Sequence, residues 1–206
     1  MIDIVLKSDQ EPTMKTIVED TCRARAKRGA MRTVVEHSPL YSSKSNGVVE
    51  RAVKSVEGQM RVMRSALESR RGVVLEVNHA VWPWLVEYAS YLLNRHEVGK
   101  DGYTAYERCK GKRAQVRGVE FGEAVMWKRR PRGTGQGKLS CLWEDVVFLG
   151  VKSNHKKFII GDGKQVRRTP TIQRKTEKMR WDKNNISMVA GVPWKNEEEE
   201  EDYMDH

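Results

Sequence analysis

The chain has 206 residues, with 38 Lys and Arg against 28 Asp and Glu and a formal net charge of +10. That length holds one medium domain and a small one, and 38% hydrophobic residues with six Trp describe folded structure rather than a disordered polyelectrolyte. Cys22, Cys109 and Cys141 lie far apart, which excludes a zinc-ligand pattern or disulfide framework and reads as reduced, partly buried thiols of an intracellular protein. No apolar run is long enough to span a membrane, and the amino terminus carries no signal peptide, so no membrane partner is expected.

In chain order, Ile2 to Lys7 reads as a short apolar strand running into Ser8-Asp9-Gln10-Glu11-Pro12. Asp9 then stands at the carboxyl end of that strand, where open α/β sheets place their ligands. Met14, Ile17, Val18 and Cys22 form a helical face, and Arg23, Arg25, Lys27 and Arg28 crowd its far end before Gly29. This basic cluster reads equally as a phosphate contact or as a solvated helix end. Arg32 to Glu36 is a second short strand, and His37 beside it reads as structural. Tyr41 to Gly47 is a Ser-rich loop containing Lys44.

The longest helix begins at Ser45-Asn46-Gly47-Val48-Val49-Glu50-Arg51. Val49, Ala52, Val53, Val56, Met60, Met63 and Leu67 recur at helical spacing and predict one buried stripe. Glu50 sits on the rim of that stripe, in the first turn, where the helix dipole favours an anion. It reads either as an ordinary helix N-terminal acid or as a metal ligand. With Asp9 it would supply a pair of carboxylates converging on a divalent cation from distant parts of the chain. Lys54, one turn on, stands at i, i+4 spacing from Glu50, which is one reading of its place.

The state of Val73 to Val77 is left open. Pro83 suits a first helical turn, with Val81, Leu85, Tyr88, Ala89 and Leu92 at helical spacing and Trp82 and Trp84 as packing residues. From about Gly118 the period changes. Ala124 to Lys128, Trp143 to Val151, Lys157 to Gly161 and Gln165 to Thr169 read as short strands, with Asp162-Gly163 as a hairpin turn. Strands at such intervals predict a small barrel or sandwich. Residues 111–181 hold 18 basic and 6 acidic groups, a density of charge that points to nucleic acid. Lys128, Arg129, Arg130 and Arg132 stand in a Gly-rich loop and Arg167 and Arg168 follow, with Arg174-Lys175 adding to them. These residues predict salt-dependent backbone binding without base specificity. Beyond Trp181 periodicity is lost. Glu197 to Glu201 form an acidic run, read as a disordered, solvated tail or as one that folds back on the basic module.

Leu6-Lys7-Ser8-Asp9-Gln10, Glu36-His37-Ser38-Pro39 and Ser45-Asn46-Gly47-Val48-Val49-Glu50-Arg51 together resemble the second half of a retroviral-type integrase core. Trp84 with Ala89, Tyr91, Leu92, Asn94 and Arg95, then Thr104-Ala105-Tyr106-Glu107 and Gly111-Lys112, is similar to copia-type retrotransposon integrases, encoded within a Pol polyprotein. The resemblance implies that Asp9 matches the second catalytic aspartate and Glu50 the catalytic glutamate, with 40 residues between them. It implies that Lys44 lies in a loop against DNA and that Lys54 reaches DNA beside the metal. Leu142-Trp143, Val147 to Gly150 and Phe158 to Gly161 resemble the SH3-like carboxy-terminal domain of the same family. Only Met1 to Ser8 precede Asp9, so the first catalytic aspartate of the family has no counterpart in this chain.

The expected fold class is therefore α/β. A truncated RNase H-like integrase core over residues 1–112 is followed by a small basic SH3-like β-barrel over 113–182 and a disordered acidic tail over 183–206. The implied function is DNA integration, with Asp9 and Glu50 as catalytic and metal-binding residues. Mg²⁺ or Mn²⁺ is the implied cofactor, two ions being held only by a complete triad. Implied partners are DNA, both element ends and target, and further copies of the chain, acting in the nucleus. The alternative is a nucleic-acid-binding remnant without catalysis, and a third reading is a decayed fragment that exposes a sheet edge.

Overall fold

The computed structural model describes residues 3–8, 10–29, 32–38, 47–115, 118–129, 141–152, 157–181, 186 and 189–195. Two compact units divide the chain, Met1–Ser55 and Val56–His206.

In the first unit, strand β1 (Ile4–Ser8) pairs in parallel with β2 (Thr33–His37), with Val5 beside Val34 and Lys7 beside Glu36. A parallel pair needs a crossover, and helix α1 (Pro12–Lys27) supplies it. Pro12 opens α1, where its missing N–H costs nothing, and Arg25 and Lys27 occupy the last turn. Gly29 then takes φ +67°, and its N–H closes onto Ala26 O at 3.0 Å. Val18 is buried beneath α1.

Helix α2 (Gly47–Arg71) starts in the first unit and continues into the second. Its expected buried stripe is realised only toward the carboxyl end. Leu67 is buried and Met60 and Met63 pack against the core, whereas Val49 and Val53 remain 60% and 50% exposed. Helical periodicity marks a face that favours burial; it does not supply the neighbour that covers it.

The second unit places α3 (Val81–His96) and the short α4 (Ala105–Lys110) with five strands: β3 (Ala124–Lys128), β4 (Trp143–Lys152), β5 (Lys157–Gly161), β6 (Val166–Thr169) and β7 (Gln173–Arg174). Every pairing is antiparallel, in the order β6-β5-β4-β3-β7. Val81, Trp84, Leu85, Tyr88 and Ala89 of α3 are buried, and the same core takes Val125 from β3, Val146 to Leu149 from β4 and Phe158 to Ile160 from β5. The core thus draws on residues from both sides of position 112, where the sequence changes period. Tyr88 packs edge-on to Phe148 at 5.5 Å. A bulge between Phe148 and Gly150 keeps β4 long; Gly150 has φ +152°, and a Cβ there would meet Tyr88 at 3.4 Å. The chain from Val73 to Val77 forms neither helix nor strand, although Leu75 is buried.

Three expectations are corrected. No strand pairing among the described residues closes the five-stranded sheet into a barrel; β6 and β7 stand at its two ends. The chain does not leave the fold at residue 183: Ile186 and Val189 are buried in the core and the Trp84 indole donates to Gly191 O at 3.0 Å. Apolar residues spaced too irregularly to show a period still fill the space beside α3. Cys109 and Cys141 are exposed, and only Cys22 is partly buried.

No helix among the described residues is long and apolar enough to cross a membrane.

Candidate nucleic-acid interface

The first-unit site residues separate into two groups. Asp9 and Lys44 lie outside the described residues, as do Arg130 and Arg132 of the basic loop. Ser8, immediately before Asp9, is the buried last residue of β1, and its carbonyl accepts the Ser38 N–H at 2.8 Å. The Gln10 side-chain amide donates to Ser38 O at 3.1 Å. The segment following β1 is thus tied to the segment following β2, which is the end of a parallel pair where ligands are bound.

Glu50 occupies the first turn of α2 and is exposed, not on the rim of a buried face. Lys54 is exposed too, and the two form no ion pair, so the i, i+4 reading of Lys54 is not realised. The neighbouring pairs on α2 are Glu57 with Arg61 at 3.2 Å and Arg64 with Glu68 at 3.0 Å. Glu50 therefore presents a carboxylate with no ion pair among the described residues, at the positive end of a helix dipole.

In the second unit the coiling of the sheet brings residues of two non-adjacent strands together. Trp127 of β3 and Arg167 of β6 are separated by two strands in the sheet order, yet the Arg167 guanidinium lies 5.3 Å from the centre of the Trp127 ring. Asp162 holds Arg167 from the other side at 3.6 Å. The Trp127 indole N–H is shielded from solvent and has no hydrogen-bond partner among the described residues. Lys128 follows on β3, exposed and opposite Trp143. Arg129 pairs with Glu144 at 3.1 Å, and its N–H donates to Leu142 O at 2.8 Å. Arg168 lies beside Ile159 in the β5–β6 ladder.

Two residues read as part of the basic surface serve the fold. Arg174 donates to both oxygens of the fully buried Glu123 at 2.7 and 2.8 Å, and Lys175 pairs with Asp145 at 2.5 Å. The cluster behind α1 is partly neutralised as well, because Arg23 pairs with Glu19 and Asp20 at 3.3 and 3.1 Å and Arg25 donates to Thr33 Oγ1.

A feature not singled out from sequence stands at the far end of the β4–β5 pair. Lys152 and Lys157 are direct cross-strand partners, and neither has an ion-pair partner among the described residues. Like charges facing each other across a ladder destabilise it, unless an anion lies between them. The signal was present in the sequence, where Lys152 and Lys157 stand at equal distance on either side of Asn154-His155.

Thr104-Ala105-Tyr106-Glu107, one of the segments carrying the family resemblance, has a structural role. The Thr104 hydroxyl accepts the Glu107 N–H at 3.1 Å and the Glu107 carboxylate accepts the Thr104 N–H at 2.7 Å, a complete capping box for α4. These bonds hold the Glu107 carboxyl below its ordinary range. Arg108 likewise lowers Asp101 in a bidentate pair that staples the loop before α4.

Fold and site together define a mixed helix and strand protein, with one parallel strand pair and one five-stranded antiparallel sheet bearing lysines that have no ion pair among the described residues. No protein-family model matches the chain, and no curated protein matches it.

Proposed function

We propose that this chain is the DNA-binding carboxy-terminal portion of a copia-type retrotransposon integrase. The observation that carries DNA binding is the facing pair Lys152 and Lys157, with Lys128 on the same sheet likewise without an ion pair among the described residues. Cations held together without an ion-pair partner among the described residues favour a polyanion as the partner. Lys152, Lys157, Lys128, Arg129, Arg167 and Arg168 contact the phosphate backbone, and the Trp127–Arg167 stack offers one flat surface to a base or sugar.

The order of elements supports the lineage. A strand, a helix, a parallel strand and then a long helix with an acid in its first turn is the order required of the second half of an RNase H-like core. The sheet order β6-β5-β4-β3-β7, in which the last strand returns to pair with the first, is the order an SH3-like fold requires. Glu50 suits a hard divalent cation, being an exposed carboxylate without an ion pair among the described residues. Asp9 and Glu50 would hold Mg²⁺ or Mn²⁺, which when bound activates a water or a DNA 3′-hydroxyl toward a phosphodiester. Lys54 lies one turn from Glu50 and would hold the DNA backbone beside that centre.

The reading is tested by fluorescence anisotropy of a labelled duplex titrated with the full chain at several salt concentrations. Affinity is expected to fall steeply with salt, and Lys152→Ala or Lys157→Ala to reduce the log–log slope by about 1 each. Binding that is absent at low salt, or indifferent to salt, overturns it. Integrase activity is tested separately by Mg²⁺-dependent strand transfer, abolished by Glu50→Gln. DNA binding without any strand transfer supports the non-catalytic reading of the same surface.

A further inference from the structure

Most tryptophans of the second unit have their rings engaged by the chain itself. The Trp84 indole is buried and donates to Gly191 O at 3.0 Å, Arg64 lies 5.1 Å over the Trp82 ring, and Arg70 lies 4.8 Å over that of Trp181. Trp127 carries Arg167. Trp143 differs from all of these. It opens β4, it is 38% exposed, and its ring meets neither a cation nor a second ring among the described residues. Trp194 is exposed as well, but it stands in a three-residue 3-10 turn and not on the sheet.

The register of the sheet sets Lys128 directly opposite Trp143. Cross-strand partners project from the same face with Cβ atoms about 5 Å apart, so an indole and an ammonium stand side by side at the rim of the β3–β4 ladder. Lys128 is exposed and has no ion pair among the described residues. One step back along the ladder Trp127 faces Glu144, and by the strand period of two that pair projects from the opposite face. Arg129, the next cation in the chain, is held by Glu144 at 3.1 Å. The rim thus offers an open aromatic ring and, beside it on the same face, a cation with no counter-charge among the described residues.

We propose that Trp143 and Lys128 form a site for one unpaired nucleotide of DNA, the indole stacking on the base and the ammonium holding its phosphate. The inference rests on the DNA reading above and names the part of the DNA that this rim takes. A base inside a duplex is stacked on both faces by its neighbours, so its ring is closed to an indole. A base in a single-stranded extension has a free face. Cations alone serve a duplex backbone, whereas an aromatic ring set beside a cation is the combination that holds a single strand. Every base has a π-face, so the site is expected to tolerate any sequence. An apolar protein surface laid over Trp143 would instead bury the Lys128 ammonium without a counter-charge, which disfavours that occupant.

The test is fluorescence anisotropy of the full chain with labelled DNAs of equal duplex length at one salt concentration: a blunt duplex, a duplex with a short single-stranded extension, and a duplex whose extension consists of abasic nucleotides. The native chain is expected to bind the extended duplex about tenfold more tightly than the blunt one. The abasic extension adds the same phosphates without bases and is expected to give little of that gain. Trp143→Ala is expected to remove the gain and leave blunt-duplex affinity unchanged, and Trp143→Phe, which keeps a ring, to retain part of it. Circular dichroism checks that both variants fold, and the comparison of the DNAs on the native chain needs no variant. Equal affinity for blunt and extended duplexes, a gain that the abasic extension reproduces in full, or a gain that survives Trp143→Ala overturns the site while salt-dependent duplex binding still stands. Absence of binding to every one of these DNAs overturns the DNA reading and this site with it.

Discussion

Arg174, on a two-residue edge strand, holds the carboxylate of Glu123 through both oxygens at 2.7 and 2.8 Å, and Arg180 approaches the same group at 3.4 Å. Glu123 is wholly buried, and its carboxylate also accepts the Glu120 N–H at 3.2 Å, so the charge is matched on every side the protein offers. Removing Arg174 leaves that buried charge with Arg180 as its remaining cation at 3.4 Å. Arg174→Met is therefore expected to destabilise the protein by about 3 kcal/mol, read as a shift in the denaturant midpoint. The double variant Glu123→Gln/Arg174→Met is expected to cost less than the sum of the single ones. A midpoint unmoved by Arg174→Met would show that the pair does not hold β7 to the sheet.

Gly122 sits where three parts of the second unit meet. Its N–H donates to Phe148 O at 2.8 Å, its carbonyl accepts from the buried Arg71, and its φ is +79°. A Cβ would come within 2.5 Å of Leu67 Cδ1, a side chain that is itself buried. Gly122→Ala is expected to lower stability by about 1–3 kcal/mol through backbone strain and overpacking together. Adding Leu67→Ala should relieve the steric part and leave the backbone part, which thermal melts of both variants can separate.

His79 links stability to pH. Its Nδ1 accepts the Val81 N–H at 3.1 Å at the start of α3, which requires that nitrogen to be unprotonated. Burial holds the imidazole below its ordinary value of 6.5, against a smaller opposing effect of Glu76. The unfolded chain binds the proton more readily, so this contribution is complete above the unfolded value and is lost as pH falls from there through the folded one. The melting temperature of the native chain should decline as pH falls below about 6.5, and His79→Asn, an acceptor that does not titrate, should flatten that limb. An identical decline in both proteins would assign it to other groups.

The Trp127–Arg167 stack gives the DNA reading an optical handle. Duplex binding is expected to quench indole fluorescence, and Trp127→Phe to remove most of that change while preserving affinity within a few-fold. Arg167→Ala is expected to reduce the salt slope by about 1. Arg174→Ala, by contrast, is expected to leave the slope unchanged in whatever fraction remains folded, since its charge is matched by Glu123.

Much of the local structure was legible from spacing alone. Ala124–Lys128 and Lys157–Gly161 fall where alternation and turn residues place them, and Asp162 caps the predicted hairpin by accepting from both Lys164 N–H and Gln165 N–H at 2.8 Å. The proline at position 83 and the apolar period mark α3 to within its first turn. What sequence did not show depends on neighbours. β7 is two residues long and has no period to detect; it exists because Val125 and Met126 pair with it. The first half of the α2 stripe remains uncovered, because amphipathicity records a demand and not its fulfilment. The candidate site was legible as a set of charges but not as a division of labour. Arg167 and Arg174 look alike in the chain, and only the coiling of the sheet and a buried acid send one to Trp127 and the other to Glu123.

The hydrogen bond from the Trp84 indole to Gly191 O joins positions 107 apart in the chain. A contact of that span waits on the closure of a very long loop, which disfavours it early in folding. Helix α3 and the antiparallel strands can collapse on one another beforehand, but the indole stays without its acceptor until the segment around Gly191 arrives. Loop-closure entropy thus favours an order of assembly in the second unit, in which the sheet forms first and the residues around Gly191 dock beside α3 last.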